Sequence, residues 1–215
     1  MNRILVALII LITSSSFGQD LSLKVMDTDF SKGRLTNEQT ISVEDVSKLH
    51  GHMCDGLVLG FIGLREALYQ LFSDSVIDRT NIRIISKSSP CITDIAIYLT
   101  GGRYQFNTFY VNDTIQYLYI VQRIDTGKAI GIKTVPNLVP PQIKELGALA
   151  VKGELDACGL DTLRNLEDAF ILQLKNSNPS ELFILTEIPS FNWESPLDKT
   201  YLKTDVLNKN KPKCN

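Results

Sequence analysis

The stretch His50-Gly51-His52-Met53-Cys54-Asp55-Gly56 lies between two segments with helical patterning. It contains several side chains of the types that bind metal ions. It holds both histidines of the 215-residue chain and one of its four cysteines. The three donor side chains stand at every second position, so they would diverge on a helix but point to one side of an extended chain. The stretch therefore predicts a break between two helices, with a site in that break.

The segments on either side of this break carry helix signals. Ser42 is a good N-cap for a short helix over Val43–Leu49. A second helix is expected from Gly56 to Phe72, and its first half is apolar on all sides, which is typical of a buried helix. Three glycines at helical spacing would let a neighbouring element pack closely against it: Gly56, Gly60 and Gly63.

The order of elements predicts a single α+β domain over residues 42–195, with a mainly antiparallel sheet packed by helices and a helical C-terminal portion. Strands are expected at 82–86, 106–111, 115–123, 128–134 and 182–188, and further helices at 91–100, 142–151 and 161–175. Residues 19–41 lack clear periodicity and are expected to form a loose lead-in, and residues 196–215 a polar tail.

Residues 1–18 have the pattern of a secretory signal peptide. Arg3 precedes an apolar run, Leu5–Ile12, that is too short to span a membrane comfortably, and Ser16-Phe17-Gly18 supplies small residues for cleavage. We therefore expect an exported mature chain, periplasmic or extracellular, without a membrane anchor. The formal net charge is −2 and there is no long basic run, which argues against nucleic acid as a partner.

The residue types in the break favour zinc or another divalent transition metal as the bound partner. Zinc accepts imidazole nitrogen and thiolate sulfur in tetrahedral sets, so His50, His52 and Cys54 are candidate ligands. Cys91, at the start of a predicted helix, is the candidate fourth ligand because the helix dipole favours a thiolate there. Asp94, one helical turn further on, could ligate weakly, orient an imidazole or act as a catalytic base. Cobalt, nickel and copper accept the same ligands, so the identity of the metal stays open.

Other interpretations of the same residues remain open. In an oxidising compartment Cys54 and Cys91 could form a disulfide, and Cys158 could pair with Cys214. Cys54, close to a histidine, could be a nucleophile of the thiol-hydrolase kind, although no oxyanion-hole signature is readable. A metal with an open coordination position would instead give a hydrolase-like enzyme acting on a small-molecule ligand. Candidate substrate contacts for such an enzyme are Tyr98, Arg103 and Asn107.

Two blocks of the sequence resemble a known family. His50-Gly-His-Met-Cys54-Asp-Gly-Leu-Val-Leu-Gly60 is similar to the H-G-H-x-C-P-G-x-x-x-G opening of the E-subunit family of formylmethanofuran dehydrogenase. Cys91-Ile-Thr-Asp94-Ile-Ala-Ile-Tyr-Leu-Thr100-Gly101-Gly102 resembles the family's C-x-x-D-A-I-x-x-x-T-G-C. The resemblance implies an α+β core, a bound metal that is often zinc, and subunits paired as homodimers. Carried over by position, it implies a site lined by His50, His52, Cys54, Cys91 and Asp94.

Three departures from the family pattern weaken any transfer of catalytic function. Asp55 replaces the usual proline, Gly102 replaces the closing cysteine of the second block, and Gly-Lys-Gly is absent before Asn107. Nothing in the chain indicates a molybdopterin or tungstopterin site, so formylmethanofuran oxidation is not inferred. The sequence thus predicts an exported metal-binding protein, with a metal-dependent enzyme or a thiol/disulfide protein as the alternatives, and leaves open whether it catalyses a reaction.

Overall fold

The structure is a computed structural model that describes residues 19–73, 76–199 and 201–214. The predicted signal peptide, residues 1–18, lies outside the described residues. Among the described helices, none combines the length and the apolar character needed to cross a lipid bilayer.

The chain alternates short strands with helices of very different length. Its strands are β1 (Ser22–Thr28), β2 (Leu35–Ser42), β3 (Val76–Asp78), β4 (Ile82–Ser86), β5 (Phe109–Val111), β6 (Tyr119–Arg123), β7 (Ala129–Thr134) and β8 (Phe183–Glu187). Its helices are α1 (Val43–His50), α2 (Asp55–Leu71), α3 (Pro90–Thr100), α4 (Pro141–Val151), α5 (Ala157–Asn176) and α6 (Pro179–Leu182), with single 3-10 turns at Arg79–Asn81, Tyr104–Phe106 and Thr204–Val206.

The strands form two mixed sheets, one of order β2-β1-β3 and one of order β5-β4-β6-β7-β8. Only the β1–β3 and β4–β5 pairs are parallel among the described strands, and the other neighbours are antiparallel. The predicted α+β class with a mainly antiparallel sheet and a helical C-terminal portion is therefore confirmed.

Helix α2 is the centre of the packing. It contacts α3 and α5 on its sides and β6 and β7 of the larger sheet, and most of its residues from Leu57 to Leu71 are buried. This agrees with the continuous apolar run in the sequence. Two of its glycines face large side chains, since a Cβ on Gly60 would lie 2.7 Å from the Tyr119 hydroxyl and one on Gly63 would lie 2.8 Å from the Phe183 ring. The predicted close packing at these glycines is thus observed.

The predicted loose lead-in is instead an ordered hairpin. Strands β1 and β2 pair in register from Ser22 opposite Ser42, and β1 buries Leu23 and Val25 in the main core. The sequence does not reveal this because β2 is largely polar and exposed, so it lacks the alternation that marks a half-buried strand.

The predicted polar tail is also held against the hairpin side of the molecule. The backbone N–H of Leu35 donates to the Lys209 carbonyl, 3.1 Å away, and Lys209 Nζ lies 3.1 Å from Asp78 Oδ2. The tail therefore packs against the smaller sheet, at β2 and β3.

Candidate metal centre

The candidate centre lies where α1 ends and where α2 and α3 begin. His50 is the last residue of α1, and Gly51 ends that helix with a left-handed φ of 98°, a conformation that glycine adopts without strain. Cys54 is the N-cap residue of α2, and Cys91 follows Pro90 in the first turn of α3. Both thiols therefore lie at the positive ends of helix dipoles, which stabilise negative charge.

Three donor atoms converge at this point. The Sγ atoms of Cys54 and Cys91 are 3.5 Å apart, and each lies 3.7 Å from His50 Nε2. Both cysteines are free thiols, so the structure does not contain the alternative disulfide between them. Ideal tetrahedral zinc geometry separates two thiolate sulfurs by about 3.8 Å and a sulfur from an imidazole nitrogen by about 3.6 Å. The observed triangle matches these separations, so the three residues could hold a metal ion.

Asp94 fixes the imidazole of His50 in the orientation that ligation needs. The Nδ1 of His50 lies 2.8 Å from Asp94 Oδ2, and the His50 side chain is only 6% exposed. Nδ1 therefore carries the proton and donates to the carboxylate, which leaves the lone pair of Nε2 directed towards the two sulfurs. Such carboxylate–imidazole pairs commonly support metal-binding histidines.

The local electrostatics favour a thiolate and a cationic or metal-bound imidazole. The hydrogen bond from Cys91 outweighs burial and lowers the pKa of Cys54 to about 6, whereas the same bond raises the pKa of the donor, Cys91. Burial opposes protonation of His50, but the hydrogen bond to Asp94 and the proximity of Cys54 outweigh it and raise its pKa. A metal ion would compete with the protons at these sites, which makes its affinity pH-dependent.

The centre also depends on Gly56, because glycine has no side chain. A Cβ on Gly56, in the first turn of α2, would lie 2.9 Å from Cys91 Sγ and 3.2 Å from Cys91 Cβ. Only glycine leaves room for the Cys91 thiol to approach the end of α2 this closely. The first glycine of the predicted close-packing face therefore allows the Cys91 thiol to join the group of donor atoms.

His52 is not part of the converging group. It is exposed, and its ring centroid lies 4.6 Å from that of His50, with the rings tilted by 45°. The prediction assumed an extended chain from His50 to Cys54, whereas His50 is still helical and the chain turns at Gly51. The donors that meet are consequently His50 and Cys54, four residues apart, together with Cys91.

The predicted substrate contacts lie elsewhere. Tyr98 and Arg103 line a surface cavity at the carboxyl end of α3, and Tyr98 is about 10 Å along the helix axis from Cys91. Asn107 adopts a left-handed φ of 55°, and its Oδ1 accepts a hydrogen bond from Trp193 Nε1 at 3.1 Å. Asn107 is therefore placed as a turn residue that holds the C-terminal segment.

Two carboxylates near the centre were not predicted as site residues. Asp55 follows Cys54, and burial raises its pKa. Glu167 comes from α5, and its pKa is raised by burial and by the nearby charges of Asp55 and Cys54. No sequence signal marks Glu167, because its proximity results from the packing of α5 on α2.

Comparison with known proteins identifies a family. The family model described as "FmdE, Molybdenum formylmethanofuran dehydrogenase operon" matches residues 49–184, a segment that begins next to His50 and contains both cysteines of the centre. A solved structure similar to this chain is that of a tungsten formylmethanofuran dehydrogenase FmdE-like protein from Syntrophus aciditrophicus, with 15% identity, 69% of this chain and 72% of that chain covered, and a TM-score of 0.43. None of the curated proteins gives a significant match.

Proposed function

This chain belongs to the FmdE family, and we propose that it is an exported protein that binds one transition metal ion, zinc by preference, through His50, Cys54 and Cys91. The observation that carries the proposal is the convergence of one imidazole nitrogen and two free thiols at 3.5–3.7 Å, with the imidazole oriented by Asp94.

The donor chemistry supports zinc over the harder cations. Thiolate and imidazole ligands suit zinc, cobalt, nickel and copper, whereas magnesium and calcium prefer oxygen ligands. When bound, zinc acts as a Lewis acid and can lower the pKa of a coordinated water. His50 and the two cysteines would hold the ion, and Asp94 would keep the proton on His50 Nδ1.

Export and dimerisation belong to the same proposal. The N-terminal pattern of residues 1–18 supports secretion, and the family resemblance supports a homodimer. Export would separate the protein from any cytosolic enzyme complex. We therefore assign it binding, delivery or sensing of the metal outside the cytoplasm rather than a part in formylmethanofuran oxidation.

The test is the metal content of the reduced protein expressed without residues 1–18. We expect one equivalent of zinc by elemental analysis, and sulfur-to-cobalt charge-transfer absorption when cobalt replaces it. The variant C91S should lose most of that absorption, whereas the matched control C158S should keep it because Cys158 is exposed at the start of α5, outside the donor group. A reduced wild-type protein that takes up neither metal would contradict the proposal.

A second candidate function is metal-dependent hydrolysis. It is favoured by the number of donors, since catalytic zinc sites keep three protein ligands and leave the fourth position for water. In this arrangement Asp94 is engaged with His50 and has a positioning role, so proton transfer would fall to Asp55 or Glu167, the nearby carboxylates whose pKa values are raised. Turnover of a panel of ester and amide substrates that disappears with a chelator would support this function, and no turnover would leave the binding role alone.

A further inference from the structure

A cavity lies at the carboxyl end of α3, opposite the candidate metal centre and next to the surface cavity lined by Tyr98. Its volume is about 310 Å³, and four parts of the chain meet there: the end of β1 with the turn after it, the 3-10 turn after β3, the loop after α3 and the C-terminal tail. Five charged side chains line it: Asp27, Arg79, Arg103, Lys203 and Asp205. Three basic against two acidic side chains leave one positive charge, although the chain as a whole has a formal net charge of −2.

The ion pairs inside the cavity do not neutralise its basic side chains. Asp27 accepts from Arg79 Nη1 at 2.9 Å and from Gln39 Nε2 at 3.3 Å. Arg79 Nε is buried without a hydrogen-bond partner. Within the described residues, the side chains of Arg103 and Lys203 make no hydrogen bond or ion pair, and Lys203 is half-buried.

The basic side chains of the cavity have donor groups that an anion could accept from, because Arg79 Nε has no hydrogen-bond partner and the ends of Arg103 and Lys203 make no hydrogen bond or ion pair within the described residues. Burial lowers the pKa of Lys203, and Asp205 and Asp27 each raise it more strongly than Arg103 or Arg79 lowers it. The two aspartates do not fully offset the cost of burying the Lys203 ammonium group, and a bound anion would recover part of that free energy. The position of the Arg79 guanidinium is explained by the helix, because it lies against Gly101 at the carboxyl end of α3, where the helix dipole stabilises a cation. The same contact does not account for Arg103 or Lys203.

We propose that this cavity binds a small anion through a carboxylate or phosphate group held by Arg103 and Lys203, with Arg79 as a fixed positive charge behind them. Guanidinium groups match the geometry of both anions, and an ammonium group adds a point charge. The volume is near the lower limit of small-molecule pockets, so the ligand is a small metabolite rather than a polymer.

The test is calorimetric titration of the chelator-treated, metal-free protein with inorganic phosphate and, separately, with succinate. Removing the metal keeps the result independent of the proposed function, since an anion on the metal cannot contribute. We expect one of the two probes, or both, to bind at one site per chain at concentrations up to about 10 mM. Binding of phosphate alone would identify a phosphate ligand, and binding of succinate alone a carboxylate ligand.

Two variants that remove a charge, one conservative variant and a matched control test the residues. R103A and K203M should each weaken binding at least about tenfold, as expected for loss of a charged hydrogen bond, and R103K should retain most of it. K199A removes a tail lysine that does not line the cavity, so it should bind like wild type. Thermal melts without ligand verify folding. Absence of binding by both probes, or binding unaffected by R103A and K203M in folded protein, would overturn the proposal.

Discussion

Replacing Gly56 by alanine tests the geometry of the candidate metal centre most directly. The added Cβ would lie 2.9 Å from Cys91 Sγ, whereas optimal van der Waals contacts begin near about 3.5 Å. The sulfur must therefore retreat by about 0.6 Å, while metal sites tolerate deviations of only about 0.2 Å. Overpacking of this kind costs about 1–3 kcal/mol, which corresponds to a loss of about 5- to 150-fold in metal affinity.

The assay is competition of G56A with a chromophoric chelator for zinc. Unfolding of the metal-free protein should be measured in parallel, because the same clash also destabilises the contact between α2 and α3. The matched control is G147A in α4, where a Cβ would meet nothing within 4 Å. It should leave zinc affinity unchanged and stabilise the fold by up to about 1 kcal/mol through helix propensity.

G56A should therefore bind zinc more weakly than wild type, although alanine is the better helix former. If G56A binds zinc as tightly as wild type while folding normally, the Cys91 sulfur is not held against the end of α2, or it is not a ligand. Either conclusion would refute the geometry assigned to the candidate metal centre.

Three further predictions concern the residues around the donors. D94A should lower zinc affinity by about 10- to 100-fold, as expected when an imidazole loses its orienting carboxylate, and a change within twofold would contradict the role of Asp94. H52A should change zinc affinity by less than about threefold, because His52 lies outside the donor group; a larger loss would make it the fourth ligand. Since thiolate is the nucleophile, alkylation of Cys54 in the metal-free protein should accelerate as pH rises through about 6, where its pKa is placed by the hydrogen bond from Cys91. A midpoint above pH 8, read by mass spectrometry of the labelled peptide, would contradict this.

The sequence predicted most of the fold where local signals agree with tertiary packing. The cap at Ser42, the apolar run of α2 and the proline that begins α3 each mark an element that the structure contains within one or two residues of the predicted bounds. The β1–β2 hairpin was missed because β2 is exposed and polar, so its partner strand, not its own pattern, determines its conformation. Helix α5 begins four residues before the predicted start, where Asp156 caps it.

Residue types indicate part of the candidate site, whereas the rest depends on how the helices pack together. The proximity of Cys54 and Cys91, 37 residues apart, could be proposed from residue types, and the structure brings them together with His50. His52 was included because alternate side chains of an extended backbone point to the same side. The backbone is not extended here, since it makes a left-handed turn at Gly51. Glu167 could not be found from sequence, because only the docking of α5 on α2 places it near Cys54.

The three donors belong to the ends of different helices, and this has a consequence for how the protein comes apart. An ion held by Cys54 and Cys91 would act as a crosslink that closes a loop of 37 residues, and the chain-entropy relation for such a closure gives about 4 kcal/mol. Losing the ion would remove that constraint in a single step. Chelation should therefore lower the melting temperature, and slow mechanical or thermal opening of the α2–α3 contact should set the rate at which the ion escapes.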